Sequence, residues 1–150
     1  MSIQEQQTLQ EKYYSEAIRY MDNAKECLSK AKRDGKFYQD QKYVRMACGT
    51  AYCGLLVALD GFLTLKGVVP AHSSKGGGRT VRKQRKSIEY YQSNITNIDK
   101  KMLDYLNNAY KVLHLWGYYD GIESVSIVKD GFDDAYNLIE KIKPQKIKNF

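Results

Sequence analysis

The sequence predicts an all-α protein, an antiparallel four-helix bundle, and three observations carry that reading. Four segments place apolar residues three and four positions apart, the spacing of one helix face. Breaks rich in glycine, proline or Asp-Gly separate those segments. No segment alternates apolar and polar residues as a half-buried strand would. A chain of 150 residues, 43% of them apolar, is long enough for one domain with a real core. The expected unit is therefore a single domain over 1–150.

In chain order, residues 1–7 are expected to fray. Thr8 and Glu11 are spaced as a capping box, so the first helix is expected to begin there. Tyr14, Ala17, Met21, Ala24, Leu28 and Ala31 then repeat the three-four spacing. Lys30, Lys32 and Arg33 suit the negative end of its dipole, and Asp34-Gly35 reads as the stop. Asp40 is the expected N-cap of the second helix. From Tyr43 to Leu65 only Arg45 and Asp60 are charged, so this helix should be the most buried. Its small residues, Gly49 and Gly54 among them, are read as close packing contacts. The uncharged run Met46–Leu59 is too short for a bilayer, which takes about 20 apolar residues.

Gly67-Val-Val-Pro70 ends the second helix, and residues 67–86 are expected to form a flexible basic loop. Ser87 to Trp116 predicts an uninterrupted third helix of about 45 Å. Ile88, Tyr91, Ile95, Ile98, Met102, Tyr105, Ala109, Val112 and Trp116 form its stripe. A rod this long would project beyond its partners, and its exposed apolar end favours a homodimer. Gly117 and Asp120-Gly121 form the next break. Val125, Val128, Phe132, Ala135, Ile139 and Ile142 mark the fourth helix, which Pro144 stops. Residues 144–150 are a short basic tail.

The charge is unevenly placed. The net charge is +7, and Lys66, Lys75, Arg79, Arg82, Lys83, Arg85 and Lys86 lie between Gly61 and Ser87 with no acidic residue among them. The other 17 basic residues match the 17 acidic ones, so the whole excess sits in one stretch. Lys75, Arg79, Arg82, Lys83, Arg85 and Lys86 are the candidate nucleic-acid contacts, because clustered cations neutralise phosphates. Tyr90 and Tyr91 follow, and tyrosine rings stack on bases. The competing reading is a solvated loop, with Tyr91 in the core.

Catalytic signals are sparse. Lys75-Gly-Gly-Gly-Arg79 lacks the strand and the order of a phosphate loop. His114, with Lys111 and Tyr118 nearby, is a weak acid–base candidate, and a polar histidine at a helix end is the plainer reading. Asp130, Asp133 and Asp134 read as a solvated face. Cys27, Cys48 and Cys53 lack metal-ligand spacing and read as buried reduced thiols, so no metal and no cofactor is expected. The opening residues have neither the basic region nor the apolar run of a signal peptide. The expected setting is cytoplasmic, with no membrane partner.

With its helices laid out, the chain resembles the HEPN superfamily of small four-helix proteins. Ser15–Leu28 is similar to that family's opening helix. Lys36-Phe-Tyr38 and the small-residue run Met46–Leu59, ending Leu65-Lys-Gly67, are similar to its second. More narrowly, the whole chain resembles a family of uncharacterised proteins of this length from Bacteroidetes. The HEPN resemblance implies a HEPN-like bundle and either a dimeric ribonuclease with an R-x4-6-H motif or a protein partner of a nucleotidyltransferase. Leu106–Asp120 contains no arginine, so the ribonuclease motif is absent. The expected function is a non-enzymatic binding or regulatory module contacting RNA or another polyanion. A degenerate ribonuclease using His114 and a pure protein partner are the alternatives.

Overall fold

A computed structural model describes residues 1–68 and 86–145. The described residues are mostly helical. Helix α1 runs Ile3–Ser29 and α2 runs Gln41–Leu65. Helices α3 (Ile88–Ile95) and α4 (Lys100–Ala109) follow, then a π-helix, Tyr110–Tyr119, and α5 (Val125–Glu140). The expected nucleic-acid contacts Lys75, Arg79, Arg82, Lys83 and Arg85, and residues 146–150 of the expected basic tail, lie outside the described residues.

Helix α1 begins earlier than Thr8. Ser2 and Glu5 have the same capping spacing, and the Ser2 hydroxyl accepts the Glu5 N–H at 3.1 Å. Residues 3–7 are thus helical, although they bury nothing. The helix ends at Ser29, so Lys32 and Arg33 lie beyond its last turn. There the chain makes a short hairpin that strand alternation does not announce. Strand β1, Arg33–Asp34, pairs antiparallel with β2, Phe37–Tyr38. Two residues per strand are too few to show a period. The turn takes Lys32 and Gly35 to positive φ. Tyr38 N–H donates to the Glu123 carbonyl at 2.8 Å, and Val125 N–H to that of Lys36 at 3.0 Å. The hairpin thereby ties the α1–α2 connection to the start of α5.

Helix α2 is the spine. Asp40 caps it, its carboxylate accepting Lys42 N–H at 3.0 Å. It is long and apolar enough to cross a membrane, a property that a core helix shares, and over half of its most apolar stretch is buried inside the protein. It packs against α1, α5 and the π-helix. Gly54 permits the close approach of α1: a Cβ there would lie 2.9 Å from Tyr20 Cβ and 3.2 Å from the Ala17 carbonyl. Ala17, Met21 and Ala24 of α1 face Val44, Ala47, Ala51, Leu55 and Ala58 in one core. Val128, Phe132, Ala135, Leu138, Ile139 and Ile142 complete it from the α5 side.

The continuous third helix is not observed. Ser87 caps its start, accepting Tyr90 N–H at 3.3 Å. The helix then stops at Ile95, and Asp99 restarts it by accepting Met102 N–H at 3.0 Å. Thr96 Oγ1 donates back to the Gln92 carbonyl. Short polar side chains thus offer the backbone local partners that end one helix and cap the next. The stripe loses Ile98, which is 42% exposed. Beyond Ala109 the wider π turn changes the register. Leu106, Ala109, Leu113 and Gly117 face inward, while Trp116 is left 36% exposed. The rod that was to project beyond its partners is three shorter pieces.

Candidate functional site

The π-helix presents a ring cluster to one side of α2. His114 stacks on Tyr52 of α2 at 4.7 Å between centroids and on Tyr110 at 5.3 Å. Tyr118 lies parallel to the imidazole at 6.1 Å and 13°, and Tyr119 meets it edge-on at 5.0 Å. Tyr52 is buried, whereas Tyr118 is 47% and Tyr119 58% exposed. The cluster therefore has a fixed base and an open rim. π-Helices are rare, and short ones often occur at functional sites.

Two glycines let the π-helix sit this close. A Cβ on Gly49 would lie 2.9 Å from the Tyr118 ring, and one on Gly117 would lie 2.5 Å from both Cβ and Sγ of Cys48. Arg45 fixes the far end. Its Nη1 donates to the Tyr119 carbonyl and, at 3.3 Å, to that of Tyr118. A cation at the carbonyl end of a helix also suits its dipole.

At the other end of α2, the Asp60 carboxylate accepts from the Tyr91 hydroxyl at 2.9 Å and from Lys86 Nζ at 2.8 Å. Tyr91 meets Tyr90 edge-on at 5.3 Å. Burial, with the Asp60 charge, pushes the Tyr91 hydroxyl well above the ordinary phenol range. It remains a neutral donor. The two charges that interrupt the apolar α2 sequence thus anchor two features. Arg45 holds the π-helix, and Asp60 holds the start of α3 together with Lys86.

The catalytic candidates separate. His114 and Tyr118 come together, but Lys111 lies elsewhere, its Nζ 5.2 Å from the Trp116 ring. Lys111 and Trp116 line a cleft of about 380 Å³ against Asp130, Asp133 and Asp134 of α5. The acidic residues are not one uniform solvated face. Asp133 pairs with Lys129 at 2.9 Å. Asp134 is half-buried, and burial with its acidic neighbours raises its carboxyl above the usual range. Burial also lowers the His114 imidazole below its ordinary value, which favours the neutral ring.

The thiols also divide. Only Cys48 is buried, and desolvation pushes it up to about 12. Cys27 is half-buried and Cys53 exposed, against the expectation of three buried thiols. Among the described residues no group of three His, Cys, Asp or Glu side chains is placed to hold a metal ion.

Residue type and spacing point to His114, Tyr118 and Lys86, but not to their partners Tyr52, Tyr110 and Arg45. Tyr110, His114 and Tyr118 recur every four residues, which was the available signal. Tyr52 comes from another helix and gave none.

A family model described as a domain of unknown function, DUF5618, matches residues 12–144. The chain belongs to the DUF5618 family. The matched span includes the whole ring cluster of this DUF5618 chain, with Arg45, Asp60 and Lys86. A solved structure of a protein of unknown function from Dyadobacter fermentans is similar to it at 35% identity. The match covers 89% of this chain and 94% of that one, with a TM-score of 0.72. That neighbour agrees with the narrower resemblance, to uncharacterised proteins of Bacteroidetes. No curated protein matches the chain.

Proposed function

We propose that this protein is a non-enzymatic module that binds single-stranded RNA. One observation carries the reading: an exposed pair of tyrosines, Tyr118 and Tyr119, on a ring cluster rigidly backed by His114 and Tyr52. Rings held by packing stack on bases at little entropic cost, and stacking tolerates any sequence. The charge distribution supports it, since the whole excess of +7 falls between Gly61 and Ser87. Cations of that stretch, from Lys75 to Lys86, would neutralise phosphates while rings take bases.

The same reading treats α3 and α4 as one interrupted helix of a HEPN-like four-helix bundle, and a homodimer would now rest on the exposed Leu115 and Trp116 of the π-helix, since the projecting rod is not observed. Catalysis is not part of it. His114 is surrounded by tyrosine rings, and Lys111 turns to Trp116. General acid–base work needs a partner within hydrogen-bond reach.

The test is fluorescence polarisation of a labelled single-stranded RNA across a salt series, followed by a gel. Binding should weaken steeply with salt, by about 0.7 in logarithmic slope per phosphate contacted. Replacing Arg79, Arg82, Lys83, Arg85 and Lys86 with Gln should abolish it, and the RNA should stay intact. Binding that ignores salt or survives those replacements removes the reading. Cleavage that disappears in His114→Ala would replace it with a ribonuclease.

A further inference from the structure

Lys86 is the last cation of the basic stretch, and its ammonium is already occupied. Its Nζ donates to Asp60 Oδ1 at 2.8 Å, with the two side chains 31% and 30% exposed. Its Nζ also lies 5.9 Å from the centroid of the Tyr90 ring. The same Asp60 oxygen accepts the Tyr91 hydroxyl at 2.9 Å. Asp60 immediately precedes the stretch that has no acidic residue. The fold brings this carboxylate against the far end of that stretch.

An anionic oxygen receiving an ammonium is what an RNA phosphate would offer Lys86. We propose that Asp60 is an internal stand-in for phosphate, a latch on Lys86 that an incoming RNA phosphate displaces. This inference rests on the RNA-binding reading. Two features make displacement feasible. A half-exposed ion pair is weak in water. The Tyr91 hydroxyl stays on Asp60 when Lys86 leaves, so the carboxylate keeps a donor. The latch also alters the salt dependence. Salt screens the Lys86–Asp60 pair as well as the phosphate contact. The latch therefore loosens as salt rises, which offsets part of the loss of RNA affinity.

The experiment is the same RNA titration over salt with Asp60→Asn, Lys86→Gln and the double variant. Asn keeps the size and the acceptor for Tyr91 but not the charge. Asp60→Asn should tighten binding roughly two- to fivefold at low salt and steepen the salt slope by a fraction of the roughly 0.7 that one phosphate contact gives. The double variant should fall back to the Lys86→Gln level. Glu11→Gln, which changes net charge equally on exposed α1, should do neither. In the wild-type background Lys86→Gln should change the slope by less than about 0.7, because screening of the latch offsets part of the ion release. This arm holds even if Asp60→Asn folds poorly. RNA binding with equal slopes in wild type and Asp60→Asn, or a Glu11→Gln effect of the same size, overturns the latch and leaves the RNA reading intact. Absence of RNA binding in wild type and in Asp60→Asn alike overturns both.

Discussion

Gly117 has no room for a methyl group. Its missing Cβ would sit 2.5 Å from Cys48 Cβ and Sγ and 3.1 Å from the Val112 carbonyl. Gly117→Ala should therefore destabilise the protein by about 1–3 kcal/mol through overpacking, read as a lower urea midpoint at unchanged m. A midpoint equal to wild type would contradict the contact. The thiol beneath it gives a pH signature. Its folded value of about 12 is raised from 9.0, so the folded state holds the proton more tightly. The stability this provides is intact below pH 9 and is lost as pH climbs towards 12, by at most about 1.4 kcal/mol per pH unit. Cys48→Ala should flatten that alkaline decline in urea unfolding followed across pH.

His114 works in the opposite direction. Burial depresses its folded value below 6.5. Its contribution is complete above pH 6.5 and is lost as pH falls through the folded value. An NMR titration of the imidazole should give a midpoint below 6.5, and a midpoint above it would show that a charge partner outweighs burial.

At the scale of elements, the break between α3 and α4 depends on Asp99. Its carboxylate caps Met102 and lies 3.4 Å from Lys141 Nζ on the α5 side. The bond from Met102 N–H is the main reason its carboxyl is held below the usual range. Asp99→Ala should cost about 1 kcal/mol, with Asp99→Asn costing less, measured by thermal unfolding. The expectation of one unbroken helix failed here because the apolar spacing continues through Thr96–Asp99 while the local hydrogen bonds do not. Spacing reports which face is apolar. It does not report where a side chain takes a backbone partner. The π-helix is the second such case. The three-four spacing assumed an i→i+4 turn, and the wider turn moved Trp116 out of the stripe and Gly117 into it. That wider turn rests on Arg45, so Arg45→Ala should cost about 1–2 kcal/mol and broaden the NMR signals of the Tyr118 and Tyr119 rings. Sharp, unshifted signals would show that the π-helix holds without Arg45.

At the scale of the whole molecule, charge and core are separate. Among the described residues the buried set carries no charge, and its side chains are apolar apart from the tyrosine hydroxyls and the Cys48 thiol. The cations between Gly61 and Ser87 should therefore be dispensable for folding. The fivefold Gln variant should keep its far-UV circular dichroism and unfold within a few degrees of wild type, while its RNA binding is lost. A large drop in melting temperature would mean that these residues belong to the fold. Sedimentation equilibrium should give twice 17.3 kDa for the homodimer, and a single-chain mass would remove that assembly.

Composition, periodicity and capping residues alone determined the helical class, the cap at Asp40, the burial of α2 and the apolar face of α5. These follow from hydrophobic spacing and short-range hydrogen bonding, both written along the chain. His114 and Tyr118 were legible as candidates because they are chemically distinct and close in sequence. Only the tertiary structure decided that Tyr52 stacks on His114, that Lys111 turns to Trp116, that Arg45 holds the π-helix and that Asp60 occupies Lys86. Each of those contacts joins residues from different helices or depends on the pitch of one. Such contacts arise when packing brings distant residues together, and no local spacing encodes them.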